Sequence, residues 1–477
     1  MGQEIGISQF SDGDFARFQQ KLQQETALLK RLINDKGCSK REPTAGFEIE
    51  AWLVDDNMRP MSINEDYIAH ANNPLVSAEL ARFNIEFNSE PLPLTDNIFS
   101  QLQTQLQNTW NRGVEDAQHL NSQLLMIGTL PTLERSDLTL ANISNMNRYH
   151  ALNQQILAAR GKPINLDITG NQHLKFTHDD VMLESAATSF QIHIQLPLDR
   201  AHHFYNASII ASAAMVAVCA NTPFLFGKDL WHESRIPLFE QAIETGGYNA
   251  VAQGPLKRVS FGSGYANHSI FECFLENLQH FPSLLPVIED TPIEAFEHLR
   301  LHNGTIWRWN RPLIGFDEDG TPHIRVEHRS PASGSTVVDT IANAAFYYGL
   351  SKNLSDEIMT DGLLMPFSQA KDNFYQAARY GLDSHIKWLK GDSHRLHSLF
   401  KKELLPRAKQ GLISLGVSHD DVVIYLDIIQ QRVETKQNGS LWQRQFMQTQ
   451  ETDFKTMTQH YLNKQQAGEP VGTWSLV

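Results

Sequence analysis

The sequence predicts an α+β protein in which an antiparallel sheet is flanked by helices. Four short segments alternate strictly between apolar and polar residues, which is typical of strands with one buried face. Several longer segments repeat their apolar residues every three or four positions, as amphipathic helices do. Of the 477 residues, 41% are hydrophobic and 20% are charged, the composition of a packed globular protein. These observations exclude a disordered, collagen-like or coiled-coil chain.

Helical patterns lie on both sides of the strands and take over toward the end of the chain. The pattern predicts helices over 12–35, 97–121, 336–352, 393–412 and 419–435, and a strand buried on both faces over 123–130. From about residue 366 onward every segment has helical spacing. We therefore predict a mixed region over 1–365 and a helical C-terminal region over 366–477 that packs on it.

The chain has the features of a soluble, cytoplasmic protein. Its most apolar stretch, 207–220 (ASIIASAAMVAVCA), is shorter than the roughly 20 residues of a membrane span and predicts a buried helix. The first residues are polar and acidic, unlike a secretory signal. Cys38, Cys219 and Cys273 lie far apart and fit neither a disulfide framework nor a zinc knuckle, so we expect a reducing compartment.

The charge of the chain restricts its partners. There are 40 Lys and Arg residues against 54 Asp and Glu residues, a net charge of −14. An acidic surface repels phosphate backbones, which argues against a general nucleic-acid binder. We expect small-molecule substrates and neither a nucleic acid nor a membrane as partner.

The four alternating segments sort their side chains onto two faces. In 46–54 the apolar side chains face one way, while Glu48 and Glu50 face the other, about 7 Å apart. The segments 82–88, 189–196 and 323–329 repeat this scheme. Their polar faces carry Asn84, Glu86 and Asn88, then Gln191, His193 and Gln195, and finally His323, Arg325, Glu327 and Arg329.

The polar faces have unusual contents for strands exposed to water. Carboxylates and one imidazole would suit Mg²⁺ or Mn²⁺. Arginines beside those acids would hold phosphate or carboxylate oxygens. Together they indicate a metal–nucleotide site, although a solvated face with surface ion pairs explains the pattern of any one strand equally well.

Several common nucleotide and hydrolase motifs are missing from the sequence. The chain has no G-x-x-x-x-G-K-[ST], no Rossmann fingerprint, no H-E-x-x-H and no G-x-S-x-G. If the protein binds ATP, it therefore uses another architecture.

Six motifs, in order, resemble the glutamate–cysteine ligase superfamily, and most closely its second family of carboxylate–amine ligases. They are GFEIEAWLVD, AELARFNIEFNSEPLPL, SFQIHIQL, NTPFLFGKDLWHESRIPLF, TIWRWNRPLIGF and HIRVEHRSP, within residues 44–350. The resemblance implies a glutamine-synthetase-like fold, a curved antiparallel sheet whose concave face binds ATP, glutamate and Mg²⁺ ions. The mixed region 1–365 would then be the catalytic domain.

The resemblance also implies roles for particular residues. By motif, the metal-binding residues would be Glu48, Glu50, Glu79, Glu86, His193 and Glu327. Arg329 and Arg235 resemble the arginines of the family that contact phosphates or the glutamate carboxylate. Arg311 resembles the arginine of the family's W-x-x-R-P segment. Nucleotide-binding positions would be His193, Arg329 and Arg325.

The implied activity joins a carboxylate to an amine at the expense of ATP, most simply glutamate to cysteine through an acyl phosphate in glutathione biosynthesis. Two alternatives stay open: a different acid or amine, or a nucleotide-binding relative without turnover. The segment 227–267, rich in glycine and charge, is the candidate for a loop that closes the site. Arg444, in NGSLWQR, is either a site residue or part of an ordinary surface helix.

Overall fold

The computed structural model describes residues 4–245 and 257–476. Its strands are β1 (Thr44–Val54), β2 (Val76–Ala78), β3 (Asn84–Asn88), β4 (Leu92–Pro93), β5 (Gln123–Leu125), β6 (Ile164–Thr169), β7 (His173–His178), β8 (Phe190–Leu196), β9 (Phe224–Leu225), β10 (Lys228–Asp229), β11 (Val259–Ser260), β12 (Trp307–Arg308), β13 (Asn310–Phe316), β14 (Pro322–His328), β15 (His385–Lys387) and β16 (Ser393–Arg395). The central sheet is antiparallel and strongly curled, with the order β13-β14-β8-β1-β3-β2 and with β4 and β5 paired to β1. Short two-stranded ladders join β6 to β7, β9 to β10, β11 to β12 and β15 to β16.

Helices surround this sheet. They are α1 (Asp12–Asn34), α2 (Asn64–Ala71), α3 (Ile98–His119), α4 (Asn147–Arg160), α5 (Leu198–Val218), α6 (Arg235–Ala242), α7 (Phe271–His280), α8 (Glu297–Gly304), α9 (Val337–Asp361), α10 (Phe367–Tyr380), α11 (Leu396–Leu399), α12 (Leu405–Ser414), α13 (His419–Glu434), α14 (Gly439–Gln450) and α15 (Phe454–Ala467). The predicted α+β class is confirmed.

All four alternating segments are neighbouring strands of the central sheet, β14-β8-β1-β3. The fifth predicted strand, 123–130, is shorter than expected and ends at Leu125. The segment 393–412 also differs at its start, because its first residues form β16 before the helical turns begin at Leu396.

The apolar face of the sheet packs on α3, α5 and α9. Phe87 of β3 meets Trp110 of α3 edge to face. Tyr347 of α9 stacks on His328 of β14, and the hydroxyl of Tyr348 donates to the carbonyls of Gly46 and His193. These contacts fix β1 and β8 against the core. They therefore also fix which side chains lie on the opposite, polar face of these strands.

The alternation of the strands suggested that their polar face is open to water. In the structure this face is buried. Glu86 and Gln191 are 0% exposed and Glu327 is 1% exposed. The sheet curls, and the segments 181–186 and 329–335 run beside this face, with Ser189 and Ser333 hydrogen-bonded to Glu50. Burial strengthens every electrostatic interaction there, because little water is left to screen the charges.

The helical C-terminal region holds the segments that border the polar face. Gln465 of α15 donates to the carbonyl of Ser335, and Tyr461 hydrogen-bonds to Asn221. A buried ion pair joins Arg432 of α13 to Asp339 of α9 at 2.8 Å. The last helices are therefore part of the support of the site.

The predicted buried helix over 207–220 corresponds to the second half of α5, which ends at Val218 and whose residues from Phe204 to Val218 are all buried. Within the described residues, none of the helices has the length and apolar character needed to cross a membrane.

Candidate active site

The sheet brings three predicted metal ligands together from three adjacent strands. His193 of β8 lies opposite Glu327 of β14, and Glu48 follows two residues after the β1 partner of His193. The Nε2 atom of His193 is 3.5 Å from Glu48 Oε1 and 3.8 Å from Glu327 Oε1. We call Glu48, His193 and Glu327 the first cluster; ligand atoms of the three lie within 4.8 Å of one another.

The other three predicted ligands form a second cluster beside the first. Glu50 of β1 is paired in register with Glu86 of β3, and Glu79 follows the end of β2. Ligand atoms of Glu50, Glu79 and Glu86 again lie within 4.8 Å of one another. Each of the six positions was named from the sequence, and the structure groups them three and three.

Buried arginines neutralise the first cluster. Arg311 of β13 pairs with Glu327 through both carboxylate oxygens, at 2.7 and 2.9 Å, and Arg329 lies 3.2 Å from the same carboxylate. Burial alone would raise the pKa of Glu327, but the guanidinium groups of Arg311 and Arg329 hold that pKa well below its ordinary value. Glu327 is therefore ionised at neutral pH even without a metal.

Among the described residues, the second cluster has no ion pair of the kind that Arg311 and Arg329 make with Glu327. Within the described residues, no lysine, arginine or histidine nitrogen lies within 4.0 Å of a carboxylate oxygen of Glu50, Glu79 or Glu86. Burial, and then the charge of Glu48, raises the pKa of Glu86 to about 8. Burial and the neighbouring Glu86 raise the pKa of Glu79 well above its ordinary value.

Both clusters fit a divalent cation. In the described part of the chain, Glu79 Oε1 and Glu86 Oε2 are buried and accept no hydrogen bond. Burial lowers the pKa of His193 to about 4, so its ring is neutral at physiological pH and offers a lone pair. Carboxylate oxygens with one imidazole are the donor set of Mg²⁺ or Mn²⁺ rather than of a thiolate-bound metal.

Two more predicted arginines differ in their contacts. Arg325 of β14 lies near Glu48 and Glu327, and its Nε atom is buried with no hydrogen-bond partner in the described residues, as expected of a group that holds a ligand anion. Arg235, expected on a phosphate or carboxylate, donates through Nη2 to the carbonyls of the segment that follows β14. These acceptors are Arg329 O at 2.8 Å, Ser330 O at 2.6 Å and Pro331 O at 3.2 Å.

The structure adds site residues that the sequence did not single out. Ser189 donates to Glu50 through both its amide and its hydroxyl, at 2.7 Å each. Gln191 donates to Glu50 Oε1 at 3.1 Å and accepts from Arg329, so it links the two clusters. Burial, and then Glu50, raises the pKa of Glu184 to about 8. Alternation placed Gln191 on the polar face but gave it no role, and no periodicity marks Glu184.

Other residues considered from the sequence have structural contacts. Arg444 pairs with Asp229 at 2.7 Å, and in the described part of the chain it makes no ion pair with either cluster. Trp309, in the TIWRWNRPLIGF motif, is fully buried, donates to Glu240 and packs under Arg235. Of the segment 227–267 expected to close the site, residues 246–256 lie outside the described residues.

Fold and family together define the class of the protein: an ATP-dependent carboxylate–amine ligase. The model of the glutamate-cysteine ligase family 2 matches residues 44–469, and the chain belongs to this family. The resemblance seen in the motifs is thereby confirmed, and the match continues from residue 350 through most of the C-terminal helices.

One solved structure of a glutamate–cysteine ligase shows the same fold at low sequence identity. The chain is similar to the glutamate–cysteine ligase of Francisella tularensis, solved in complex with AMP, with a TM-score of 0.54, 12% identity, and coverage of 92% of this chain and 91% of that one. It is more distantly similar to the bifunctional glutathione synthetase of Pasteurella multocida, with a TM-score of 0.47, 10% identity, and coverage of 92% and 54%. The ligase PafA in complex with Pup gives a TM-score of 0.36, 8% identity, and coverage of 89% and 72%. The comparison with curated proteins finds no match.

Proposed function

We propose that the protein is a Mg²⁺-dependent glutamate–cysteine ligase that forms γ-glutamylcysteine. The observation that carries this proposal is the pair of adjacent acid clusters on one sheet face, flanked by buried arginines, in a chain of the glutamate-cysteine ligase family 2. One cluster would serve the transferring phosphate and the other the carboxylate that receives it.

The reaction has two steps. An oxygen of the glutamate γ-carboxylate attacks the γ-phosphorus of ATP, the bond to the bridging oxygen breaks, and ADP leaves. The cysteine nitrogen then attacks the acyl carbon and expels inorganic phosphate, and the nitrogen loses a proton as the amide forms. Such chemistry depends mainly on positioning and on neutralising the phosphoryl charge.

The six clustered residues would hold the divalent cations. Bound there, the ions would neutralise phosphate charge and polarise the reacting oxygens. Neutral His193 keeps a lone pair available, while Glu327 stays ionised because Arg311 and Arg329 pair with it. The first cluster is thus charged and preorganised before any substrate arrives.

The arginines would act on the anionic substrates. Arg329 and Arg325 can each direct nitrogens at phosphate oxygens. Each of them has a buried Nε atom without a hydrogen-bond partner in the described residues. Arg235 holds the backbone that carries Arg329, and Arg311 orients Glu327. Arg311 and Arg235 would therefore position other groups, whereas Arg325 and Arg329 would contact substrate.

The three cysteines are free and buried, as in proteins of a reducing compartment, and we propose that the reaction takes place in the cytoplasm. The product would feed glutathione biosynthesis.

The test is release of ADP by the purified protein with Mg²⁺, ATP and L-glutamate, with and without L-cysteine. We expect cysteine-dependent release that is lost in Glu48→Gln. Glu115→Gln is the matched control, because Glu115 is exposed on α3, which packs on the apolar face of the sheet. Release with another amine or acid, but not with this pair, would replace the substrates. ATP binding without release across a panel of acids and amines would indicate a relative without turnover.

A further inference from the structure

Arg148 has a position and a set of contacts that the reaction described above does not use. It is the second residue of α4, and its guanidinium lies over the ring of Tyr149, 4.4 Å from the ring centre. Its Nη2 atom donates to the hydroxyl of Tyr149. Its Nε atom is buried and has no hydrogen-bond partner in the described residues. Most of its donor capacity is therefore free.

This arginine lies beside the second cluster without pairing with it. The charges of Glu79 and Glu86 both act on Arg148, yet no carboxylate oxygen in the described residues comes within 4.0 Å of its nitrogens. Arg311, in contrast, binds Glu327 through both oxygens. Arg148 is thus not a structural counter-ion of the kind found at the first cluster.

Its anchor is tied to the strand that carries the cluster. The Tyr149 hydroxyl lies 3.3 Å from the carbonyl oxygen of Ala78, the last residue of β2, and Glu79 follows directly. Tyr149 is buried, so the ring and the hydroxyl together restrict where the guanidinium can lie. A restricted, desolvated guanidinium with unused donors is suited to bidentate binding of an oxyanion.

The topology separates Arg148 from the other arginines of the site. Arg325 is on β14 and Arg329 directly follows that strand, whereas Arg148 is anchored on β2, four strands away in the order β14-β8-β1-β3-β2. At about 4.8 Å per strand, the two backbones are roughly 19 Å apart along the sheet. The site therefore has cations at both ends, Arg325 and Arg329 at one end and Arg148 at the other.

We propose that Arg148 binds a carboxylate of the acid or of the amine substrate at the outer side of the second cluster. This inference rests on the proposed function, because it takes the substrates to be an acid, an amine and ATP. A cation at this place offsets the charges of Glu79 and Glu86 and admits an anionic group beside them. Arg148 is then a determinant of substrate specificity.

The experiment compares Arg148→Gln and Arg148→Lys with the wild type in full steady-state kinetics. In Arg148→Gln we expect the KM for the acid or for the amine to rise about 10- to 100-fold, the effect of losing charge-assisted hydrogen bonds, with the KM for ATP unchanged. Arg148→Lys keeps the charge and should recover part of this loss. Arg112→Gln, an exposed arginine on α3, is the matched control.

The substrate whose KM rises identifies the source of the carboxylate. A rise in the KM for ATP alone, equal losses for all three substrates, or no change would overturn the proposal. Calorimetric titration of the Mg²⁺-loaded full chain with L-glutamate and with L-cysteine needs no turnover. If the wild type releases no ADP, the proposed function fails. Weaker binding of either amino acid to Arg148→Gln would still support the proposed role of Arg148. Unchanged or absent binding would refute that role.

Discussion

The two acid clusters use the same kind of side chain in opposite electrostatic settings. Glu327 of the first cluster is paired with two buried arginines, and its pKa is held well below the ordinary value. Glu86 of the second cluster is equally buried but has no cation within ion-pairing distance in the described residues, and burial and Glu48 raise its pKa to about 8. The fold thus builds one cluster that is charged in advance and one whose charge depends on the metal.

The difference predicts that the same substitution destabilises the protein much more in the first cluster than in the second. In the metal-free protein at pH 7, Glu327→Gln should lower the free energy of unfolding by about 3–5 kcal/mol, because Arg311 and Arg329 lose the charge that compensates them. Glu86→Gln should change it little, because the carboxyl group it replaces is largely protonated there. Both should lower kcat/KM on the order of 10³-fold by removing a metal ligand.

Urea unfolding in EDTA, followed by circular dichroism, measures the stability difference, and ADP release measures the activity. Equal destabilisation by the two substitutions would mean that the arginines do not distinguish the clusters.

A smaller effect is expected in the pH dependence of stability. Since the pKa of Glu86 is raised from 4.5 to about 8, the folded protein binds more protons than the unfolded chain between these pH values. Glu86 should therefore contribute a loss of stability to the metal-free protein as the pH rises from about 5 to about 8, seen as the difference between the wild type and Glu86→Gln, and saturating Mg²⁺ should reverse this loss, because the cation replaces the proton. The lowered pKa of Glu327 contributes only at lower pH, where its stabilisation is lost as the pH falls.

Calorimetric Tm values across this range, in EDTA and in Mg²⁺, test the prediction, with Glu86→Gln as the variant that should show the shallower slope. The same dependence of Tm on pH in the metal-free wild type and in Glu86→Gln would contradict the electrostatic account of the second cluster.

Most of the first cluster could be predicted from sequence because it lies on strands. Alternation fixes the face of a side chain, so Glu48, His193 and Glu327 needed only the correct strand order to meet. The family resemblance supplied Glu79, which lies just outside β2, where alternation says nothing.

The supporting residues could not be predicted in this way. Glu184 is in a short 3-10 turn and Arg148 lies in the first turn of a helix, and neither has a periodic neighbour on the polar face. Arg235 was expected on a substrate anion, but its contacts to three carbonyls depend on the path of the chain after β14. Burial of the polar face also depends on distant segments, so the strand pattern suggested an open face.

Substitution of Gln191 has the smallest expected effect, and it tests directly how the two clusters are connected. The Gln191 amide donates to Glu50 of the second cluster and accepts from Arg329, which in turn pairs with Glu327 of the first. Gln191→Ala should therefore loosen a ligand and an arginine together and lower kcat/KM or Mg²⁺ affinity about 10- to 100-fold, as for other residues that orient metal ligands.

The loss should stay below that of a ligand, because Ser189 still donates twice to Glu50 and Glu327 still pairs with Arg329. Gln195→Ala is the matched control, since Gln195 is on the same strand and face but contacts Asp317. Mg²⁺ titrations of both variants, read as protection against thermal unfolding, separate the two cases. If Gln191→Ala and Gln195→Ala bind Mg²⁺ equally well and turn over equally fast, the clusters act independently, and the charge of the first does not depend on the geometry of the second.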